Sequence, residues 1–246
     1  MVILQSVLLN KFSEIKFGLS TKIGLNRKAP HYFNTSKSVD DDEIIVEENR
    51  NVFYRHFGLL PSLIALQKQE HTDTITIVEK PGFVGESDAL ITNKPNIGLV
   101  ISTADCGNIF IYDKKNKVIA GVHSGWRGTQ KQILYKTISI MKDKFNSNPQ
   151  DLFVYVGPSI SKDNFEVKED VLCLFDNKYI SYQNGKCYID ITLCNLDMLY
   201  NNGIPNQNIQ VSQLCSYREQ NLLHSYRRDG KHSGRAFGLI VLKEYK

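Results

Sequence analysis

Among the six histidines and five cysteines of this 246-residue chain, three fall where reactive side chains are best displayed. His123 closes an apolar run at 118–122, in Val-His-Ser-Gly-Trp-Arg-Gly, directly ahead of a helical pattern. Cys106 follows another run at 97–102, in Ser-Thr-Ala-Asp-Cys-Gly, and His71 lies in Gln-Glu-His-Thr-Asp before an expected strand at 74–78. Cys106 and His123 stand at strand ends with glycine just beyond, where ligands collect in open sheets. Two chemistries suit such a set. Two imidazoles and a thiolate hold zinc and leave a fourth position for water or substrate. Alternatively, Cys106 is a nucleophile with His123 as its base, and no metal is needed. Asp105 or Asp73 can orient an imidazole in either case. A closed structural zinc site would need Cys215 or His224 as a fourth ligand. The bland alternatives are a cysteine packed as a small hydrophobe and histidines held by ordinary hydrogen bonds.

Positioning these groups requires buried strands. Runs at 97–102, 109–112 and 118–122 are short and apolar, with the polar turn Asp113-Lys114-Lys115-Asn116-Lys117 before the last. Leu134, Ile138, Met141 and Phe145 then share one helical stripe, which the residues at 146–149 stop. Further strands are expected at 152–156, 209–213 and 237–242, and helices at 47–57, 167–175 and 192–201. The first ten residues read as a strand. The stretch 26–48 is irregular, and its cluster Asp40-Asp41-Asp42-Glu43 reads as a solvated loop and helix start. Strands and helices alternate without a linker, which predicts one compact α/β or α+β domain over 1–246.

Composition narrows the function. Hydrophobic residues make up 41% and charged residues 23%, ordinary for a globular protein. Thirty cations against twenty-six anions give +4, and no basic stripe of the kind that grips nucleic acid is present. No apolar run approaches the ~18 residues of a membrane helix. The N-terminus lacks a cationic start and a cleavage site, so a cytoplasmic setting with reduced thiols is expected. There is no Walker loop, G-x-G-x-x-G, G-x-S-x-G or H-E-x-x-H string.

Several longer strings carry a resemblance. Ser87-Asp-Ala-Leu-Ile-Thr, Ser102-Thr-Ala-Asp-Cys106, Val122-His-Ser-Gly-Trp-Arg-Gly128, Gly157-Pro-Ser-Ile, Ser225-Tyr-Arg-Arg-Asp-Gly230 and Ser233-Gly-Arg235 resemble, in order, those of the YfiH or laccase-domain family. Lys22 stands where that family usually has arginine. Glu70 and Thr72 flank His71 where valine and glycine are usual, and Gly107-Asn108 also departs from the pattern. The resemblance implies mixed sheets sandwiched by helices, distantly similar to the catalytic domain of cytotoxic necrotizing factor, a deamidating toxin with a Cys–His pair. It implies a metal site on His71, Cys106 and His123, with zinc usual and copper also reported. The implied activities are phosphorolysis of adenosine, inosine and methylthioadenosine, and adenosine deamination. Older assignments are a polyphenol oxidase and an editor of peptidoglycan precursors.

Residue counts weigh these readings. Six histidines with no His-x-His pair are too few for a multicopper cluster, although one copper on the Cys/His set can support slow dye oxidation. The H-x-E and P-C-x-x-C strings of familiar zinc deaminases are absent, so deamination would need another layout. Phosphorolysis needs cations around phosphate. Arg50, Arg127, Arg228 and Arg235 qualify by residue type, and equally as structural ion-pair partners. The expected partners are therefore a small nucleoside and phosphate, with neither nucleic acid nor membrane.

Overall fold

Strands that are buried on both faces appear in sequence as unbroken apolar runs, and the four-layer architecture follows from that fact. The computed structural model describes residues 1–244. Strands β1 (Ile3–Leu4) and β2 (Ile15–Ser20) precede helix α1 (Glu43–His56). Next come β3 (Ile64–Lys68), β4 (Ile75–Ile77), β5 (Gly82–Glu86) and β6 (Ala89–Thr92). They are followed by β7 (Gly98–Thr103), β8 (Gly107–Asp113), β9 (Val118–Ser124), the short α2 (Trp126–Gln130) and α3 (Ile133–Phe145). The remainder is β10 (Leu152–Val156), β11 (Glu166–Val167), α4 (Glu169–Leu172), β12 (Ile180–Gln183) and β13 (Lys186–Ile189). After these come α5 (Ile191–Asn201), β14 (Ile209–Val211), α6 (Tyr226–Asp229) and β15 (Ala236–Leu242).

Two six-stranded mixed sheets result, ordered β1-β2-β15-β7-β3-β5 and β14-β10-β8-β9-β6-β4, with a small sheet β11-β13-β12 beside them. The faces divide by alternation. Leu99 and Ile101 of β7 meet Phe110 and Tyr112 of β8 between the two large sheets. Val100, Phe237 and Leu239 face outward against Phe53, Tyr54 and Phe57 of α1 or just beyond its end. On the second sheet Ile109, Ile111, Ala120 and Val122 pack against Leu134, Ile138 and Met141 of α3. The layers are helix, sheet, sheet, helix, so the expected α/β sandwich is present. Each fully buried aliphatic or aromatic side chain contributes about 1.5–3 kcal/mol. The intersheet gap is tight at Gly238, where a Cβ would lie 2.3 Å from the Phe110 ring. Among the described residues no helix is long and apolar enough to cross a membrane.

Three elements differ from the sequence reading. Only Ile3–Leu4 of the first ten residues pairs as a strand, because Ser6 Oγ accepts from Leu9 N–H and turns the chain into a short 3-10 segment. The stretch 167–175 is not one helix. Val167 pairs with Cys187 in the small sheet, and a single turn, Glu169–Leu172, follows. Its apolar residues belong to a satellite cluster with Ile189 and Ile191, so side-chain burial overrides helical spacing. Helix α1 begins earlier than expected, at Glu43, because Asp42 caps it by accepting from Ile44 N–H at 2.8 Å.

The chain crosses between the large sheets repeatedly. The β3–β4, β5–β6 and β7–β8 connections each leave the first sheet and enter the second.

Candidate metal centre

His71 occupies the β3–β4 crossing, Cys106 the β7–β8 crossing, and His123 the last turn-ward residues of β9. Their ligand-type atoms all lie within 4.8 Å of one another. The two imidazole rings meet edge to face with centroids 4.9 Å apart. Local backbone geometry makes this convergence possible. His71 has φ +58° and Asp105, just before the cysteine, has φ +87°, both in the left-handed region that L-residues seldom enter. Thr103 Oγ1 donates to the Cys106 carbonyl at 2.7 Å and closes the turn. Gly125 is required by close approach, since a Cβ there would stand 3.0 Å from both Cys106 Sγ and His71 Cδ2.

One carboxylate organises the set, and sequence reasoning passed over it. Asp88, in the β5–β6 crossing, is 0% exposed. Its Oδ1 accepts from His71 N–H at 3.1 Å and takes the His123 Nδ1 bond at 2.8 Å. Its Oδ2 accepts from Thr72 N–H at 2.7 Å, Thr72 Oγ1 at 2.8 Å and Glu70 N–H at 3.3 Å. The Asp88 carbonyl also accepts from His123 N–H. With Nδ1 held by a carboxylate, Nε2 of His123 is the nitrogen left for Cys106 or a metal. This corrects the expectation that Asp105 or Asp73 orients an imidazole. Asp105 instead accepts from Ser216 Oγ and from Arg227 N–H, tying the β7–β8 crossing to α6. Asp73 pairs with Lys136 and Lys131 at the surface. The available signal was the Ser87-Asp88 pair at the head of a conspicuous string, without any spacing that revealed its partners.

Electrostatics favour a charged pair. Burial pushes the Cys106 thiol up, but the charge of His123 and hydrogen bonds from His123 and His71 outweigh it and bring the pKa down to about 6. Burial disfavours His123 imidazolium, yet the Cys106 thiolate and Asp88 raise it to about 9. Asp88 is pushed up by burial, and its bonds to His123 and Thr72 hold it below the usual carboxylate range. Neutral pH therefore finds thiolate beside imidazolium, a form ready to lose one proton and bind a cation. The donor set fits zinc: one sulfur and two nitrogens, with His123 braced by a carboxylate. Neither Cys215 nor His224 joins the cluster. Cys215 Sγ accepts from Ser161 N–H, and His224 bonds the Phe33 carbonyl, so a closed four-ligand structural site is not formed by them.

The trio opens into a groove of about 860 Å³ that also reaches Trp126, Tyr226, Phe237 and Phe83. Arg50, Arg127 and Arg235 line it, and Arg228 does not. Arg228 commits all five N–H groups internally, to Asp229 and to the carbonyls of Ser216, Tyr217 and Leu223. As a phosphate ligand it is therefore corrected to a scaffold residue. Arg127 lies over the Trp126 ring at 4.1 Å. Arg50 donates Nε–H to the Thr35 carbonyl and sits 5.1 Å from the Phe237 ring. Arg235 donates Nη1 to the carbonyls of Ser233 and Gly234 and has no ion-pair partner among the described residues.

Similarity to known proteins extends along most of the chain. A purine nucleoside phosphorylase of Clostridium acetobutylicum is 34% identical over 219 residues, 86% of this chain and 91% of its own. An adenosine deaminase from an unknown prokaryotic organism is 28% identical over 88% of this chain and 89% of its own. The crystal structure of YlmD from Geobacillus stearothermophilus superposes with a TM-score of 0.89 at 26% identity, covering 95% of this chain and 93% of that one. Residues 16–243 match the model of a family described as multi-copper polyphenol oxidoreductase laccase, and the chain belongs to that family.

Proposed function

We propose that this protein is a zinc-dependent purine nucleoside phosphorylase, converting adenosine, inosine or methylthioadenosine and phosphate into free base and ribose 1-phosphate, with adenosine deamination as a second activity. The observation that carries the reading is the meeting of Cys106, His71 and His123 at the head of a groove, with His123 fixed by buried Asp88. The relatives named purine nucleoside phosphorylase and adenosine deaminase support it. Zinc held by the three side chains would supply Lewis acidity at the groove head. The chain's own residues do the rest. Arg235 and Arg50 offer guanidinium N–H groups to phosphate, and Phe237 and Trp126 give the groove apolar, water-excluding walls. Phosphate attacks C1′ as the bond to the base nitrogen breaks, and the base leaves with that electron pair and gains a proton.

The donor count disfavours a multicopper oxidase. Among the described residues the trio is the one group of three or more His, Cys, Asp or Glu side chains able to share an ion, and a further imidazole cluster would be needed. A second reading rests on the thiolate–imidazolium pairing, which with Asp88 reproduces the layout of a Cys–His nucleophile acting on amide bonds.

Metal analysis of protein purified without added metal, combined with product analysis on adenosine with and without phosphate, separates these readings. Phosphate-dependent adenine with zinc bound is expected, and inosine reports deamination. Zinc-loaded protein that releases no base from any of the three nucleosides would overturn the proposal.

A further inference from the structure

A second cavity, of about 710 Å³, lies on the other side of α6 from the Cys/His groove. Tyr226 and Arg227 line the groove, whereas the next two residues, Arg228 and Asp229, line this cavity. Its walls also carry Lys22, Arg27, Lys28 and Tyr32. The unusual member is Lys22, only 8% exposed. Its ammonium donates to the Gln220 carbonyl at 2.8 Å and stands 3.8 Å from the centroid of the Tyr32 ring. Among the described residues no carboxylate pairs with it, nor with exposed Lys28.

Charge accounting isolates these two lysines. Arg228 and Asp229 neutralise each other through a two-pronged contact. Arg27 is held by Glu48 and by Asn49 Oδ1. Among the side chains that line the cavity, two positive charges remain. Burial and the neighbouring Arg228 both make the Lys22 ammonium less favourable, and Asp229 only partly compensates. Lysine is almost never buried unless paired, because an uncompensated buried charge is expensive. One carbonyl and one ring face leave the Lys22 ammonium short of acceptors.

We propose that this cavity is an anion site that takes a phosphate-type dianion, either inorganic phosphate or the phosphate of a small monoester, between Lys22 and Lys28. The site is distinct from the proposed catalytic groove, with which it shares no lining residue. A doubly charged oxyanion matches the two unpaired lysines and supplies the acceptors that Lys22 lacks.

Calorimetric titration with inorganic phosphate, and separately with ribose 5-phosphate, tests the assignment on the whole chain. Lys22→Met should abolish one class of binding, and Lys28→Met should weaken the same class by about tenfold. Phosphate-dependent base release should be unchanged in both. Lys22→Met should also hold or raise Tm in phosphate-free buffer, the opposite of deleting a structural ion pair. Should that variant not fold, the exposed Lys28→Met decides alone. Tighter ribose 5-phosphate assigns the site to a monoester, and tighter inorganic phosphate assigns it to the free ion. Variants that bind both anions with wild-type stoichiometry and affinity would overturn the proposal. So would a wild type whose only anion binding disappears in Arg235→Ala.

Discussion

Replacing Asp88 by asparagine should reach the metal through a proton. The carboxylate takes two donors on Oδ1 and three on Oδ2. An amide must turn its NH2 toward one side, and the Oδ1 side opposes fewer donors. There the NH2 faces His71 N–H donor to donor, and His123 Nδ1 can meet it only as an acceptor. The ring proton moves to Nε2, the nitrogen that faces Cys106, and its lone pair is lost to the metal. Substitution of such bracing groups typically lowers metal affinity about 10–100-fold, or roughly 1.4–2.7 kcal/mol. Three charge-assisted bonds on the other side become neutral ones, each weaker by about 1 kcal/mol, so stability should fall by about 3 kcal/mol. Competition for zinc against a chromophoric chelator measures the first effect, and urea unfolding of metal-free protein the second. An Asp88→Asn protein that binds zinc within about twofold of wild type would refute the tautomer argument. Thr72→Val, which removes one hydroxyl donor and leaves the carboxylate, should have a much smaller effect on zinc.

Cys106→Ser should lose both zinc and base release while unfolding within about 1.5 kcal/mol of wild type, because serine nearly preserves volume at a site outside the main core; retained zinc with lost turnover would instead mark Cys106 as a nucleophile. Arg235→Lys should raise the KM for phosphate more than that for adenosine, as a planar two-pronged donor is exchanged for a point charge, and steady-state kinetics with each substrate varied reads the split. Acid stability should report His224. Burial depresses its pKa to about 3, so the unfolded chain binds a proton below pH 6.5 that the folded chain refuses. Its contribution is full above pH 6.5 and declines as pH falls toward 3, by about 1.4 kcal/mol per pH unit. Urea midpoints between pH 4.5 and 6.5 should show that slope in wild type and lose it in His224→Gln. An equal slope in the variant would remove His224 as the cause.

Legibility in the sequence followed burial. Strands β7, β8, β9, β10 and β15 are covered on both faces, so their apolar runs were readable. Strand β5, Gly-Phe-Val-Gly-Glu, lies at a sheet edge with Phe83 72% exposed, and nothing in its composition marks a strand. The β12–β13 hairpin did carry a signal that the sequence reading passed over, the two-residue turn Asn184-Gly185 with both φ positive between Gln183 and Lys186. Cys106 and His123 were legible because strand ends followed by glycine display reactive groups. Asp88 was not, because it works through backbone N–H groups at 70–72, and donors supplied by the main chain leave no residue signature. Arg228 was misleading for a related reason. Its five partners are mostly carbonyls, which no spacing rule reveals.

The crossings between sheets explain why Asp88 and the ligands arrive together. A chain that leaves one sheet for another gives up its ladder, and its N–H groups need new acceptors. Those at Glu70, His71 and Thr72 find the Asp88 carboxylate in the neighbouring crossing. The bond that satisfies the backbone also fixes His71 in its left-handed conformation and aims His123. Asp88 therefore serves the fold without any metal by accepting from main-chain N–H groups, whereas the Cys106 side chain bonds to the His71 and His123 imidazoles. This separates the two residues experimentally. Metal-free Asp88→Asn should unfold at lower urea than metal-free wild type, and metal-free Cys106→Ser should not. Equal loss in both would mean that the thiolate–imidazolium pair, rather than the buried carboxylate, holds the crossings in place.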